Sequence, residues 1–192
     1  ALGSLAEGHR NIGIGTFAMS QMTGGENNVS IGADSMLAVK EGHDNVAIGK
    51  SAMYNGINLE DNVAIGDYAF SGSGSRISRY NVAIGKNSGV TSNGNGNTLV
   101  GHQAGYRFYT GDYNTMIGFN SLGRDNGFYN ICIGNNTEFA ENANNTIAIG
   151  REVKTTKSNQ MILGSTHITE VVLCGNKKIN FNTDGTVTWE TI

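Results

Sequence analysis

Seven of the chain's fourteen Phe and Tyr residues fall within 24 positions: Tyr106, Phe108, Tyr109, Tyr113, Phe119, Phe128 and Tyr129. Flat rings suit stacking on the faces of sugars, and Arg107, Asp112, Arg124 and Asp125 stand among them to supply hydrogen bonds. A second polar stretch, Ser71-Gly-Ser-Gly-Ser-Arg-Ile-Ser-Arg-Tyr80, adds Arg76 and Arg79, whose guanidinium groups suit anionic glycans. The aromatic cluster has an equally good structural explanation, that its rings fill space between copies of the chain. Other chemistry is poorly served. The 16 Asp and Glu lie mostly in polar stretches such as Glu60-Asp61, Asp67 and Glu138, where they read as solvated charge. No Ser/His/Asp order or metal-ligand spacing stands out. His9 and His43 sit two residues before Asn11 and Asn45 and read as turn residues. Cys132 and Cys174 are too few for a disulfide scaffold and read as buried thiols. No catalytic residue, metal or cofactor is therefore expected.

The elements that must carry these side chains follow from composition. Among 192 residues there are 28 Gly, 25 Asn and no Pro. Gly and Asn tolerate positive φ and are poor helix formers, so the chain must be rich in turns and short of long helices. A net charge of −3 and a pI near 5.8 give no electrostatic footprint for nucleic acid. No apolar run approaches the ~20 residues of a membrane helix, so the chain is not expected to be membrane-inserted. It starts at Ala1 rather than Met, as a fragment or processed product would.

A phrase repeats: Asn11-Ile-Gly-Ile-Gly15, Asn28-Val-Ser-Ile-Gly32, Asn45-Val-Ala-Ile-Gly49, Asn62-Val-Ala-Ile-Gly66 and Asn81-Val-Ala-Ile-Gly85. Variants follow at Asn97–Gly101, Asn114–Gly118 and Asn130–Gly134, with weaker copies ending at Gly150 and Gly164. Three residues beyond each glycine stands a small residue, as at Ala18, Ser35, Ala52, Ala69, Ser88, Ala104, Ser121 and Thr137. Each unit of about 17 residues reads as a strand, a glycine turn, a short segment and a polar loop. Such a unit cannot bury a face alone, so its core must come from stacking on its neighbours. Parallel strands ~4.8 Å apart would place the Asn residues in a hydrogen-bonded ladder.

Within each phrase the two outer apolar residues share one face and the middle residue takes the other. The middle position reads Gly13, Ser30, Ala47, Ala64, Ala83, Leu99, Met116, Cys132 and Ala148, so both faces are nearly free of charge. Strands dry on both faces need cover on both. One face is assigned to the coil's core. The middle residues are expected to line packing between subunits of a homotrimer or another cyclic oligomer, with a wider gap at Leu99 and Met116.

Residues 1–157 are thus expected to form an all-β parallel solenoid. Residues 158–192 are expected to form a separate, intertwined β element, with a hairpin turn at Thr183-Asp184-Gly185 and Trp189 as a packing anchor.

The Asn-Val-Ala-Ile-Gly-x-x-Ala repeat resembles the head repeat of trimeric bacterial adhesins, which form left-handed parallel β-rolls. Followed by Lys178-Ile-Asn-Phe-Asn-Thr-Asp-Gly-Thr-Val-Thr-Trp189, it is more similar to the distal parts of bacteriophage tail fibres and tailspikes. In those proteins such a segment precedes an intramolecular chaperone that aids trimer assembly and cuts itself off at a Ser. Ile192 stands where such a mature product would end. The resemblance implies a non-enzymatic homotrimer in the virion that attaches to a host surface polysaccharide or outer-membrane protein. Two alternatives are the structural stalk of a tailspike depolymerase and the head of a bacterial adhesin. The 16–19-residue units here are longer and less regular than adhesin head repeats.

Overall fold

The computed structural model describes residues 7–72, 77–122, 126–165, 170–173, 177–181 and 187–191, all of which are strand, turn or loop, with no helix. The repeated phrases form ten three-residue strands: β2 (Ile12–Ile14), β4 (Val29–Ile31), β6 (Val46–Ile48), β8 (Val63–Ile65), β10 (Val82–Ile84), β11 (Thr98–Val100), β12 (Thr115–Ile117), β13 (Ile131–Ile133), β14 (Ile147–Ile149) and β15 (Met161–Leu163). They make one parallel sheet in chain order, with equivalent residues in register, as in Val46↔Val63 and Ala47↔Ala64. The chain is therefore a β-solenoid in which one coil lies directly on the next.

A second wall closes the first coils. It is the parallel sheet β1 (Glu7–His9), β3 (Gly24–Glu26), β5 (Ala38–His43), β7 (Asn55–Glu60) and β9 (Ser78–Arg79), in that order. From Asn95 onward this wall has no strands among the described residues. Side-chain acceptors join the backbone bonds there: the Arg79 N–H donates to Asn95 Oδ1 (3.0 Å), the Asn95 N–H to Asp112 Oδ1 (2.7 Å), and the Phe128 N–H to Asn144 Oδ1 (2.8 Å).

The expected Asn ladder is present, and it is complete. Asn45 Nδ2 donates to Asn28 Oδ1 (3.0 Å) and to the Leu59 carbonyl (2.6 Å), while Asn45 Oδ1 accepts from the Asn62 N–H (3.1 Å) and Asn62 Nδ2 (3.0 Å). Two donors and two acceptors are thus used, which is all a side-chain amide has, so burying it leaves nothing unpaired. The pattern runs through Asn28, Asn62, Asn81, Asn97, Asn114 and Asn130, all fully or almost fully buried, and ends where Thr146 Oγ1 donates to Asn130 Oδ1. The small residues after the glycines are buried too. Their hydroxyls tie one coil to the next, as in Ser88 Oγ to the Leu99 carbonyl (2.8 Å) and Ser121 Oγ to the Cys132 carbonyl (2.9 Å).

The glycine that ends each strand is required by the stacking. At Gly49 φ is +131°, and a Cβ there would lie 2.6 Å from the Gly66 backbone of the next coil. Yet glycine and asparagine do not account for all of the left-handed backbone. Two positions after the strand-ending glycine and the corner before each ladder Asn adopt φ near +55° with Met19, Met36, Met53, Phe70, Tyr68, Asp61 or Tyr80 in place. The ladder asparagines themselves are not among the positive-φ residues.

The two strand faces are assigned the other way round from expectation. Ser30, Ala47, Ala64, Ala83, Leu99, Met116, Cys132 and Ala148 are fully buried inside the coil and cannot line an interface between subunits. The growth from Ala to Leu and Met has an internal cause. In early coils the fourth residue after the glycine is bulky and buried (Met19, Met36, Met53, Phe70), whereas in the next two coils it is Gly89 and Gly105. A Cβ on Gly89 would lie 2.8 Å from Leu99 Cδ1, and one on Gly105 would lie 3.0 Å from it. The bulk of Leu99 thus occupies the space that a side chain at Gly89 or Gly105 would need, as close packing demands.

β15 pairs with β14 as the last rung, so the solenoid runs past the expected boundary at residue 157. Beyond it, β16 (Glu170–Leu173), β17 (Lys177–Phe181) and β18 (Val187–Thr191) form an antiparallel sheet in that order, with Ile179 opposite Trp189. The expected turn at Thr183-Asp184-Gly185 lies outside the described residues.

Candidate binding surface

The side chains that point away from the coil are the outer pair of each phrase. Over ten strands they are Ile, Val, Leu or Met at every position except Thr98 and Thr115. Along the strip, Ile14 is 58 % exposed, Ile65 and Ile84 37 %, and Leu163 42 %. At ~4.8 Å per coil the strip is about 43 Å long. Monomeric proteins rarely leave so continuous an apolar surface to water. Both strand faces are therefore apolar, and the outward one is the Val/Ile face.

Beside this strip runs the corner that precedes each ladder Asn. Its left-handed backbone turns the side chain outward, and the stacked coils place these side chains in a column. Three of them are aromatic and more than half exposed: Tyr80, Tyr113 and Tyr129. Tyr113 and Tyr129 sit on successive coils and stack with centroids 5.3 Å apart and planes 7° apart. Between Tyr80 and Tyr113 the corner residue is Gly96, and the Tyr113 ring lies over it, 2.7 Å from where a Cβ would stand. The opening left there is a cleft of about 300 Å³ lined by Ile77, Arg79, Tyr80, Asn95 and Tyr113. Arg79 forms an ion pair across the coils with Glu60, Nε to Oε2 at 2.8 Å and Nη2 to Oε1 at 2.9 Å.

The structure scatters the other candidate residues. Phe108 is a core residue, fully buried and edge-on to Phe139 at 6.2 Å, so it leaves the candidate set. Tyr106, Tyr109 and Phe128 are exposed at 37 %, 51 % and 38 % without joining the Tyr113 stack. Asp112 is half-buried and holds the second wall through its bonds to Asn95. Arg107 is exposed at a different cleft of about 340 Å³, with Asn120, Asn136, Glu138, Glu152 and Lys154. Lys154 Nζ is 2.8 Å from Glu138 Oε2 there. Arg76 and Arg124 lie outside the described residues. Tyr80 joins the site although it falls outside the dense aromatic cluster. Its position immediately before a ladder Asn, shared with Tyr113 and Tyr129, is the signal that would have selected it.

Among the described residues no three His, Cys, Asp or Glu side chains converge as metal ligands would. Cys132 is buried, and desolvation, helped by the charge of Glu138, pushes its thiol up to about 12. It is a packing residue and a poor nucleophile at neutral pH. No described helix is long and apolar enough to cross a membrane. No family model matches the chain, and neither a curated protein nor a solved structure matches it.

Proposed function

We propose that the chain is the distal segment of a phage tail fibre, a homotrimer in the virion that attaches, without catalysing a reaction, to a receptor on the host cell surface. The observation that carries this reading is the exposed Val/Ile strip. An apolar face about 43 Å long on a rigid, single-file scaffold is suited to permanent burial against copies of itself. The number three comes from the resemblance of the repeat and the terminal segment to trimeric fibres. Aromatic and polar side chains on the adjoining corner and second wall would then be displayed three times around the fibre. That multiplies weak individual contacts into useful avidity.

The test is binding of the intact chain to whole bacteria of a panel of strains, followed by cell sedimentation. Wild-type protein should co-sediment with at least one strain. Ile65→Lys places a charge on the apolar strip at a position already 37 % exposed in the single chain, so the coil should fold while the oligomer dissociates. Cell binding should then fall by about 100-fold or more through lost avidity. A wild-type chain that binds no strain, or an Ile65→Lys monomer that binds as well as wild type, overturns the reading.

A further inference from the structure

The proposed attachment leaves the receptor's chemistry open. We infer that the cleft between Tyr80 and Tyr113 is a binding slot for one uncharged pyranose ring of a polysaccharide. This inference rests on the attachment reading for its biological context, but its chemistry stands on the cleft itself.

The corner column supplies a stack of aromatic rings with one rung missing. Tyr113 is backed by Tyr129 at 5.3 Å, which holds it upright, and Gly96 removes the side chain that would otherwise fill the next rung. Tyr80 closes the far side and Ile77, 48 % exposed, adds an apolar lip. At about 300 Å³ the cleft is at the small end of the range for ligand sites, the size for one ring and its substituents.

A ligand that fits must have an apolar face for the tyrosines and polar groups around its edge. A pyranose has both, a C–H face and a rim of hydroxyls. The floor matches that rim. Asn95 offers its amide, whose Nδ2 makes a long bond to Asp112 Oδ1 at 3.4 Å. Arg79 offers the N–H groups of its fork that Glu60 does not take. Because Glu60 balances the Arg79 charge, the slot has little net attraction for a carboxylate or phosphate, and so a neutral sugar is preferred over an anionic one. Arg79 and Asn95 belong to the second wall, around the corner from the Val/Ile strip. Packing copies on that strip therefore leaves the floor of the cleft on a different face.

The experiment is saturation-transfer NMR on the full chain with maltotriose, cellotriose and N,N′,N″-triacetylchitotriose as probes. Transfer should reach the ring C–H protons of at least one of them. Tyr80→Ala, at a residue 63 % exposed and therefore tolerant of change, should weaken that binding about tenfold. Gly96→Ala should weaken it similarly by pressing on the Tyr113 ring, while Tyr68→Ala, an exposed tyrosine elsewhere on the coil, should leave it unchanged. No transfer from any of the three sugars, or transfer undiminished in Tyr80→Ala, overturns the slot. The two readings fail separately. Sugar binding without attachment to any strain sinks the tail-fibre role alone, and attachment without transfer from any of the sugars sinks the slot alone.

Discussion

The solenoid is built in two ways along its length. From β1 to β9 both walls are backbone sheets, and the core is filled by Met19, Met36, Met53 and Phe70 against small strand residues. From Asn95 on, side-chain acceptors share one wall with backbone bonds, and the core is filled by Leu99, Met116 and Cys132 on the strand side, with Phe108 and Phe139. The shared parts are the Asn ladder and the strand-ending glycines. The lesson is that stacking fixes only what must repeat in three dimensions: a buried amide that bonds both neighbours and a turn with no room for Cβ. Core volume and wall chemistry are free to trade places.

The largest effects should come from breaking the volume exchange. Leu99→Ala removes the bulk opposite Gly89 and Gly105 and should cost about 3–4 kcal/mol in urea unfolding. Gly89→Met alone should cost about 1–3 kcal/mol by overpacking against Leu99. Combined, the two changes rebuild the early type of coil, since Met occupies the equivalent position at φ near +50° in Met19, Met36 and Met53. The double variant should therefore recover more than half of the summed loss. Strict additivity would sink the exchange.

A smaller effect separates the two kinds of wall. Asp112→Ala removes the acceptor of the Asn95 N–H and should cost about 1–2 kcal/mol. His43→Ala, at the matching place in the early wall, leaves its backbone pairing intact and should change stability by less than about 0.5 kcal/mol. Equal losses in the two would erase the distinction between backbone and side-chain walls.

The last effect, absent at neutral pH, concerns Cys132, whose raised pKa means that the folded state disfavours the thiolate. A raised folded-state value contributes stability fully present below the unfolded pKa of about 9 and lost as pH rises toward about 12. Stability should fall by up to about 1.4 kcal/mol per pH unit across that window. Cys132→Ala should remove this part of the alkaline slope; an unchanged slope would show that the thiol is not its cause.

Much of the fold was legible because the repeat carries it. The interval between phrases, the Asn at each strand start and the glycine at each strand end specify a parallel solenoid and its ladder before any coordinates. The direction of the strand faces was not legible. Both faces are apolar, so polarity could not say which is inside; only the size pattern could, since Ala47, Ala64 and Ala83 leave room that Met53 and Phe70 fill. That partnership spans a turn and is invisible to a strand-by-strand reading. Glycine serves the turns, as do asparagines such as Asn27, Asn87 and Asn120 at positive φ, while the asparagines that define the repeat serve the ladder, as their place at each strand start implies. The candidate site was partly legible. Local density of aromatics selected Phe108, which the coil buries, and passed over Tyr80, which only the repeat register places beside Tyr113.

The claim on which the account depends is that the outward Val/Ile strip is covered by other copies of the chain. Sedimentation equilibrium measures this directly. The account predicts a mass of three times 20.3 kDa for the wild-type chain and 20.3 kDa for Ile65→Lys. A wild-type chain that sediments as a stable monomer, with the strip open to water, would contradict it.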